Sequence, residues 1–425
     1  MRRIGPERDP AVTARDKVRL VDIRPLAEEV GLPEIAATDA SPFDDLARPL
    51  AEYEARGRTG FEWANASERM DPRFWLPEAK SIVTAALPYL TEEGARQMRD
   101  HPRSDLRGQT SCYVYGEDYH RVLSERLTAL AQRIGELVGR DVRYRVAVDT
   151  SPLVDRRVAE RSGLGWIGKN GMLFSPRYGS YVFLGSLLLD IEIEDAQHLP
   201  PDIGKHCGDC DLCMRACPTQ AFVSPGELNA TACLSYVTQM KGIIPRPYRK
   251  PLGRRVWGCD VCQQVCPLNR DRAPSRDPSF SPDADVAYPD LVRLLEMSNR
   301  QFLRAYGRSA MAWRGVRTLQ RNALVALGNL RRPEAVPIVA RFLASDRVEL
   351  RASAAWALGE IGGQDALREL RAAFASEQDP DVRKEIEDAI ANAWGKACEG
   401  DEGRDETGSG YRDCDHPCRG DVAGR

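Results

Sequence analysis

The sequence has no apolar run long enough to span a membrane, because its longest, residues 181–191, is interrupted by Gly185 and Ser186. Near its beginning it carries charged residues such as Asp9 and Lys17 where a signal peptide needs an apolar stretch, so we expect a cytoplasmic protein with reduced thiols. Net positive charge is also missing, since the formal net charge is −3, which excludes a general polycation. The chain is 425 residues long, which predicts about two or three domains.

Cysteines are concentrated in residues 201–270, in two blocks that each end in Cys-Pro. Two four-iron clusters need eight thiolates, and in such motifs the fourth cysteine of a run ligates the other cluster. Zinc accepts C-x2-C pairs and disulfides need paired cysteines, but a third cysteine at the same short spacing, in a long chain without a signal peptide, favours iron–sulfur clusters. The lone Cys233 replaces the cysteine that the second block lacks. The predicted sets are Cys207, Cys210, Cys213 and Cys266 for one cluster, and Cys217, Cys233, Cys259 and Cys262 for the other.

Residues 1–200 are predicted to form an α/β domain, because helix-like segments alternate with short apolar runs typical of buried strands. The first forty residues are expected to be irregular, with Met1–Asp16 disordered. The predicted helices are residues 42–56, 119–137 and 153–162, and the predicted strands are residues 81–88, 144–148 and 180–191.

The segment Gly163-Leu-Gly165-Trp-Ile-Gly168 matches the dinucleotide-binding fingerprint in its letters but not in its context. That motif needs a strand before it and a helix after it, whereas here a helix-like segment precedes and an apolar segment follows. We therefore expect the glycines to form a tight turn, or to let the backbone approach a large flat ligand closely.

Residues 271–396 are predicted to be a linker followed by HEAT-like helical repeats. Residues 270–289 are rich in Pro, Asp and Ser, as linkers are. Residues 323–330 recur in similar form as residues 354–361, as in stacked helix pairs, with an ordinary bundle as the alternative. Residues 397–425 are expected to be disordered. The tail contains four candidate metal ligands, Cys398, Cys414, His416 and Cys418. The low complexity of the tail argues against a metal site there.

These segments together resemble the epoxyqueuosine reductases, a family of cobalamin-dependent enzymes that complete the queuosine nucleoside in transfer RNA. The resemblance extends from about residue 61 to about residue 394. Besides the double cluster motif, it rests on residues 115–120 (YGEDYH), 148–152 (VDTSP), 159–170 (AERSGLGWIGKN), 312–315 (AWRG) and 319–323 (LQRNA).

The resemblance implies an α/β cobalamin-binding domain, then a ferredoxin-like module with two [4Fe-4S] clusters, then the HEAT-like repeats. Family members reduce an epoxide on a cyclopentane ring to an alkene with loss of water, and clusters can supply the electrons one at a time. They bind the corrinoid without a lower ligand from the protein. The histidines agree with this: the chain has only five, and none lies in the Asp-x-His-x-x-Gly motif of proteins that coordinate cobalt.

Asp149, which follows a predicted strand, is implied to be the acid that protonates the leaving oxygen, a role that requires burial to raise its pKa. The alternative is a carboxylate that caps the helix starting near Pro152. His120 is expected to contact the cofactor or to pack locally. The resemblance also implies a set of cofactor contacts. The alternatives are a surface ion for Arg69, a buried thiol for Cys112 and a tight turn for the glycines. The implied contacts are Arg69, Cys112, Asp149, Gly165, Trp166, Gly168, Lys169 and Asn170.

A transfer RNA substrate needs a basic surface, and residues 241–259 supply one locally because they contain cations and no acid. Tyr248 and Trp257 would stack on unpaired bases of the anticodon loop. The alternative is a solvated loop beside anionic clusters. An external electron donor such as a flavodoxin or ferredoxin is also implied, and a monomer is expected. The predicted RNA contacts are Lys241, Arg246, Arg249, Lys250, Arg254, Arg255, Arg314 and Arg321.

Two other functions share part of this pattern. A corrinoid reductive dehalogenase has the clusters and the corrinoid domain, but is typically exported behind a twin-arginine signal and has no repeat domain. A non-enzymatic electron carrier or scaffold would use the repeats for docking and leaves the N-terminal domain without a role. Copurifying cobalt distinguishes this carrier from the enzymes.

Overall fold

The computed structural model describes residues 15–100 and 106–401, without the side chains of residues 394–401. The predictions for residues 1–14 and for Cys414, His416 and Cys418 lie outside these residues, as does the side chain of Cys398. No helix in the described ranges is long and apolar enough to cross a membrane.

The part of the chain before residue 200 alternates strands and helices, as predicted. Its strands are β1 (Lys17–Val18), β2 (Glu34–Asp39), β3 (Ser81–Pro88), β4 (Gln109–Thr110), β5 (Tyr144–Ala147), β6 (Trp166–Ile167), β7 (Leu173–Phe174), β8 (Val182–Leu189) and β9 (Glu192–Ile193). Its helices are α1 (Leu20–Glu29), α2 (Ala47–Arg56), α3 (Ala66–Met70), α4 (Glu92–Arg99), α5 (Tyr119–Val138) and α6 (Asp155–Arg161).

A four-stranded antiparallel sheet, in the order β2-β3-β8-β5, forms the middle layer. Every residue of β3 is buried, because helices cover both faces of the sheet. Val83, Ala85 and Leu87 lie in one core with α1 and α5. Ile82 and Ala86, at the alternate positions, lie in the cores formed with α2 and α6. This placement follows the two-residue period of a strand and explains why β3 reads as a continuous apolar run.

The expectation that the first forty residues are irregular is wrong. From Lys17 onward the chain forms β1, α1 and the edge strand β2 of the sheet. Helix α1 buries Leu20, Ile23 and Ala27 in the core, which outweighs the cost of Pro25 inside the helix.

The cysteine-rich part is built from short elements between longer loops. Its helices are α7 (Leu212–Arg215), α8 (Leu234–Gln239), α9 (Arg246–Leu252) and α10 (Val261–Gln264), and its strands are β10 (Phe222–Ser224), β11 (Glu227–Leu228) and β12 (Arg255–Trp257). Strand β12 pairs in parallel with β4 of the N-terminal part. This pairing joins the cysteine-rich part directly to the α/β domain.

Residues 270–289, predicted as a linker, are packed against the rest of the molecule. Phe280 and Tyr288 are buried in the core around α5. The Ser275 hydroxyl donates to the Pro88 carbonyl oxygen at 2.7 Å. The segment therefore connects the two parts while lying fixed along the α/β domain.

The C-terminal part is helical, as predicted. Its helices are α11 (Ala284–Ala287), α12 (Leu291–Glu296), α13 (Asn299–Tyr306), α14 (Val316–Leu330), α15 (Val336–Ala340), α16 (Val348–Ile361), α17 (Gly363–Ser376) and α18 (Pro380–Asp401). Helix α18 thus includes the first residues of the predicted disordered tail.

The repeated Leu-Gly of this part has a packing role. A Cβ atom on Gly328 of α14 would lie 2.8 Å from the Cα atom of Ala357 on α16. A Cβ atom on Gly359 of α16 would likewise lie 2.8 Å from the Cα atom of Ala389 on α18. The glycines therefore recur because successive helices cross there with their backbones in close approach.

Candidate functional site

Four thiols lie together at one end of the cysteine-rich part. Burial raises the pKa of Cys213 on α7, and the negative charges of Cys266 and Cys207 raise it further. Burial likewise raises the pKa of Cys266, and Cys207 and Cys210 add to the rise. These electrostatic effects link Cys207, Cys210, Cys213 and Cys266, the four predicted to hold one cluster.

The other four thiols form a second group. Burial raises the pKa of Cys259 to about 11, with a contribution from Cys233. Burial also raises the pKa of Cys262, on which Cys259 and Cys233 act as further neighbours, and that of Cys233, on which Cys217 acts. Every cysteine whose side chain the structure describes is a free thiol. Among the residues that the structure describes, no three His, Cys, Asp or Glu side chains lie together as the ligands of a single metal ion would. The donor set, two groups of four thiols, fits two four-iron clusters.

Backbone amides approach sulfur atoms of both groups. The Lys169 amide donates to the Cys207 sulfur at 3.5 Å, and the Ala221 amide donates to the Cys217 sulfur at 3.3 Å. Such hydrogen bonds are one of the features that set cluster reduction potentials. The Asn170 side-chain amide donates to the Cys262 carbonyl oxygen at 3.4 Å. Lys169 and Asn170, predicted as cofactor contacts, thus meet the cysteine-bearing loops.

The glycine-rich segment is the hairpin β6–β7 and is followed by no helix, as its context predicted. A Cβ atom on Gly165 would lie 2.1 Å from the Phe174 carbonyl oxygen, and one on Gly168 would lie 2.6 Å from the Phe174 ring. The physical reason for both glycines is therefore close packing within the hairpin. The ring centroids of Trp166 and His206 are 4.5 Å apart, and His206 precedes the predicted cluster ligand Cys207. Its indole Nε1 is buried without a hydrogen-bond acceptor among the described residues.

Asp149 lies on the loop after β5 with a φ of 55°, a left-handed conformation unusual for a residue other than glycine. Its Oδ2 accepts a hydrogen bond from the Tyr119 hydroxyl at 2.6 Å and lies 3.7 Å from His120 Nε2. The side chain is 65% exposed. Helix α6 begins at Asp155 after Val154, so Asp149 does not cap that helix. The strained backbone and the two partners instead hold an accessible carboxylate in place.

Tyr119 and His120 occupy the first turn of α5, where Asp118 caps the helix. Asp118 Oδ1 accepts from the His120 amide at 3.0 Å and lies 2.7 Å from His120 Nδ1. Burial alone would lower the pKa of His120, but Asp118 and Asp149 raise it to about 9. At neutral pH His120 is therefore an imidazolium between two carboxylates.

The proximity of His120 lowers the pKa of Asp149, and the Tyr119 hydroxyl adds to this effect. The expected rise of the Asp149 pKa depends on burial by the corrinoid and stays a prediction; the protein groups alone lower it. The sequence shows that Asp149 follows a strand, but it does not show that the cationic His120 lies beside the carboxylate. In this site the acidic proton resides on His120, and Asp149 is ionised.

A second carboxyl, Asp155, was missed. Burial and the negative charge of Asp149 raise the pKa of Asp155 to about 8. Its Oδ1 is buried without a hydrogen-bond partner among the described residues. As the first residue of α6 it resembles an ordinary helix-start carboxylate, so the sequence carries no signal for this behaviour.

Two of the predicted cofactor contacts are partly or fully buried. Arg69 on α3 is half-buried, burial lowers its pKa, and it forms no ion pair with a residue that the structure describes. Cys112 is buried, and its amide donates to Asp260 Oδ2 at 2.9 Å. Burial and Asp260 hold the pKa of the Cys112 thiol well above its ordinary value, so the thiol is neutral.

Two predicted RNA contacts are interior residues and leave the RNA-binding set. Arg249 is 2% exposed, and its guanidinium pairs with Glu385 of α18 at 2.8 Å. Arg321 is 1% exposed. Arg321 and its neighbour Asn322 on α14 donate hydrogen bonds to five backbone carbonyls of the cysteine-rich part, those of Val237, Thr238, Met240, Gly242 and Val256. The sequence shows the charge of these arginines but not their burial.

The other predicted RNA contacts keep some exposure. Lys241, Arg246 and Lys250 are exposed, although Arg246 pairs with Asp388 at 2.6 Å. Arg254, Arg255 and Arg314 are partly buried. The expectation that Trp257 stacks on bases is wrong, because it is fully buried and donates to the Tyr113 hydroxyl at 2.6 Å.

An α/β domain with an accessible acid group, joined to eight thiols in two groups of four, defines the class of protein as an iron–sulfur oxidoreductase. Three family models match the chain. They are described as epoxyqueuosine reductase QueG, DUF1730, over residues 69–150; a 4Fe-4S double cluster binding domain, over residues 206–269; and HEAT repeats, over residues 317–391.

Curated relatives match almost throughout. The chain is 40% identical to the epoxyqueuosine reductase of Bacillus subtilis over 86% of its own length and 93% of the relative's. It is 39% identical to that of Staphylococcus aureus over 86% and 94%. The chain belongs to the epoxyqueuosine reductase family.

Solved structures show the same fold. A crystal structure of epoxyqueuosine reductase with an epoxyqueuosine-modified tRNA stem loop superposes with a TM-score of 0.82 at 38% identity, covering 88% of this chain and 98% of that one. The enzyme from Streptococcus thermophilus superposes with a TM-score of 0.79 at 37% identity, covering 88% and 99%. A structure of the Bacillus subtilis enzyme superposes with a TM-score of 0.81 at 38% identity, covering 88% of this chain and 98% of that one. That structure is described as having its aspartate-containing catalytic loop swung out of the active site.

Proposed function

We propose that this enzyme reduces epoxyqueuosine to queuosine in tRNA. The observation that carries the proposal is the accessible Asp149, held by Tyr119 and His120, in a domain joined through the β4–β12 pair to the eight thiols. The relatives at 40% and 39% identity have this activity by name, and the dehalogenase and carrier alternatives are not favoured. The reaction consumes two electrons and two protons and releases the epoxide oxygen as water.

We propose cobalamin as the second cofactor of the α/β domain. The half-buried guanidinium of Arg69 and the unpartnered indole Nε1 of Trp166 are donors suited to the polar side groups of a corrinoid. When bound, cobalamin would supply the strongly reducing centre that acts on the epoxide, with the clusters as its source of electrons. An external donor of the flavodoxin or ferredoxin type would reload the clusters.

The proposed role of Asp149 is to pass a proton to the oxygen that leaves. His120 holds that proton at neutral pH, and its Nε2 lies 3.7 Å from Asp149 Oδ2. The Tyr119 hydroxyl fixes the carboxylate at 2.6 Å. Asp155, whose pKa of about 8 keeps it protonated at neutral pH, is a second proton source nearby. A general acid is most efficient when its pKa lies near the working pH. Asp155 and His120, with pKa values of about 8 and about 9, meet this condition.

The proposed substrate contacts are the exposed cations Lys241, Arg246 and Lys250 and the partly buried Arg254, Arg255 and Arg314. Phosphate contacts of this kind bind any RNA and position it, so the loop bases need other partners.

The experiment uses protein purified without oxygen from cells supplied with cobalamin. About eight irons and one corrinoid per chain, together with conversion of epoxyqueuosine in a tRNA stem loop, are expected. Asp149→Asn should abolish conversion while keeping both cofactors, and Asp22→Asn, an exposed carboxylate on α1, is the matched control. Eight irons without corrinoid after reconstitution, and no conversion, would favour an electron carrier.

A further inference from the structure

An aromatic cluster lies where the three parts of the chain meet. Phe61, from the loop between α2 and α3, has its ring centroid 5.2 Å from that of Tyr236 on α8 and 5.5 Å from that of Trp313. Trp313 belongs to the short helix Ala310–Arg314 that precedes α14. One ring therefore comes from the α/β domain, one from the cysteine-rich part and one from the helical part.

These rings are not buried as aromatic clusters usually are. Phe61 is 43% exposed and Trp313 is 57% exposed. The Trp313 indole Nε1 donates to Gln239 Oε1 at 3.2 Å, which fixes the orientation of the ring. An ordered tryptophan with more than half of its surface in water is suited to a partner that covers it.

Arg314 completes the cluster. Its guanidinium carbon lies 3.9 Å from the centroid of the Trp313 ring and 4.7 Å from that of Phe61. The Nε atom is buried and has no hydrogen-bond acceptor among the described residues. Glu62, the acid next to Phe61 in the sequence, is occupied by the Thr59 amide at 3.0 Å and by Arg58 at 3.5 Å. The arginine thus presents a cation among aromatic rings with a donor still unused.

We propose that Phe61, Trp313 and Arg314 form a stacking platform for the unpaired bases of the tRNA loop, next to the base that reacts. This inference rests on the proposed function and names the surface that recognises its substrate. Bases stack on aromatic rings and on guanidinium planes, while a cationic surround attracts the phosphates. The surround is cationic here, because the exposed Lys241 and Arg317 lie close in sequence to Gln239 and Trp313.

The position of the platform suits this role. Tyr236 lies three residues after the cluster ligand Cys233, and the loop that contains Phe61 leads into α3 and Arg69. The rings are therefore joined by short stretches of chain to a predicted cluster ligand and to the proposed corrinoid contact.

The test measures RNA binding by the reconstituted enzyme, with a fluorescent anticodon stem loop and a matched duplex without the loop as the probes. Trp313→Ala should weaken binding of the stem loop about 5- to 150-fold, as for loss of one stacked base. It should leave binding of the duplex unchanged. Trp313→Phe should restore most of the affinity, because it keeps a ring. Phe61→Ala is the second platform variant.

The matched control is Trp63→Ala, since Trp63 is also exposed, at 46%, and lies outside the cluster. Iron and corrinoid content report folding of each variant. Wild-type affinity in both Trp313→Ala and Phe61→Ala would overturn the platform, as would an equal loss in Trp63→Ala. Unchanged RNA affinity with slower reduction by a flavodoxin would also overturn it and assign the rings to the protein donor. Turnover of the modified stem loop by the wild-type enzyme tests the proposed function separately.

Discussion

Replacing Glu385 by alanine should destabilise the contact between the cysteine-rich part and the last helix. Both oxygens of Glu385 accept from Arg249, at 2.8 and 3.1 Å, and the side chains are 9% and 3% exposed. After the replacement the Arg249 guanidinium keeps only one carbonyl, that of Ile244 at 2.7 Å, while Arg246 keeps Asp388. Removing one partner of a buried pair costs about 3–5 kcal/mol, since the other charge remains buried without compensation.

We expect the free energy of unfolding of Glu385→Ala to fall by about 3 kcal/mol, the lower end of that range, because Ile244 still accepts. Urea unfolding of the anaerobic enzyme, followed by tryptophan fluorescence, measures it. Glu387→Ala, an exposed glutamate on the same helix, is the matched control and should change stability by less than about 0.5 kcal/mol. A loss below about 1 kcal/mol, or equal losses in the two variants, would refute the interior placement of Arg249.

Two further predictions concern the proposed active site and the second thiol group. The pKa of His120 is raised in the folded protein from 6.5 to about 9, so its contribution to stability is fully present below pH 6.5 and is lost as the pH rises through about 9. Because His120 loses its proton there, wild-type turnover should also decline through about pH 9. His120→Gln should lower turnover and move the alkaline limb down towards the pKa of Asp155, about 8. Cys233→Ser should reduce the iron content from about eight to about four per chain, because one cluster loses a ligand.

The matched controls for these predictions are His198→Gln, at an exposed histidine paired with Asp39, and Cys112→Ala, at a buried thiol outside both groups. An unchanged alkaline limb in His120→Gln would argue against His120 as the holder of the proton. Full iron content in Cys233→Ser would remove that residue from the ligand set.

Local patterns predicted much of the fold. The bounds of β3 follow from a continuous apolar run. Helix α5, predicted over residues 119–137 from its amphipathic spacing, extends over Tyr119–Val138. The recurrent Leu-Gly predicted the repeats, which the match to HEAT repeats confirms. The assignment of the thiols to two clusters stays a prediction. It combines cysteines from both blocks, because in such motifs the fourth cysteine of a run ligates the other cluster.

Properties that depend on distant neighbours could not be predicted. Arg249 and Arg321 resemble surface cations in the sequence, because Glu385 and the Met240 carbonyl, which accept from them in the folded protein, lie more than seventy residues away in the chain. The pKa of Asp149 depends on His120, and that of Asp155 depends on burial and on Asp149. Phe61 and Trp313 come together only in the folded protein. In each case the residue type was visible and its surroundings were not.

The hydrogen bonds of Arg321 and Asn322 have a consequence for how this protein can change over evolution. Five carbonyls in the segment between Cys233 and Cys259 receive their donors from these two adjacent residues of a repeat helix. A buried carbonyl without a donor is costly, so a chain lacking the repeats would lose the support of the segment that joins these two predicted cluster ligands. We therefore expect a hybrid that exchanges the repeats or the cysteine-rich part between relatives to fold only if it keeps this arginine–asparagine pair.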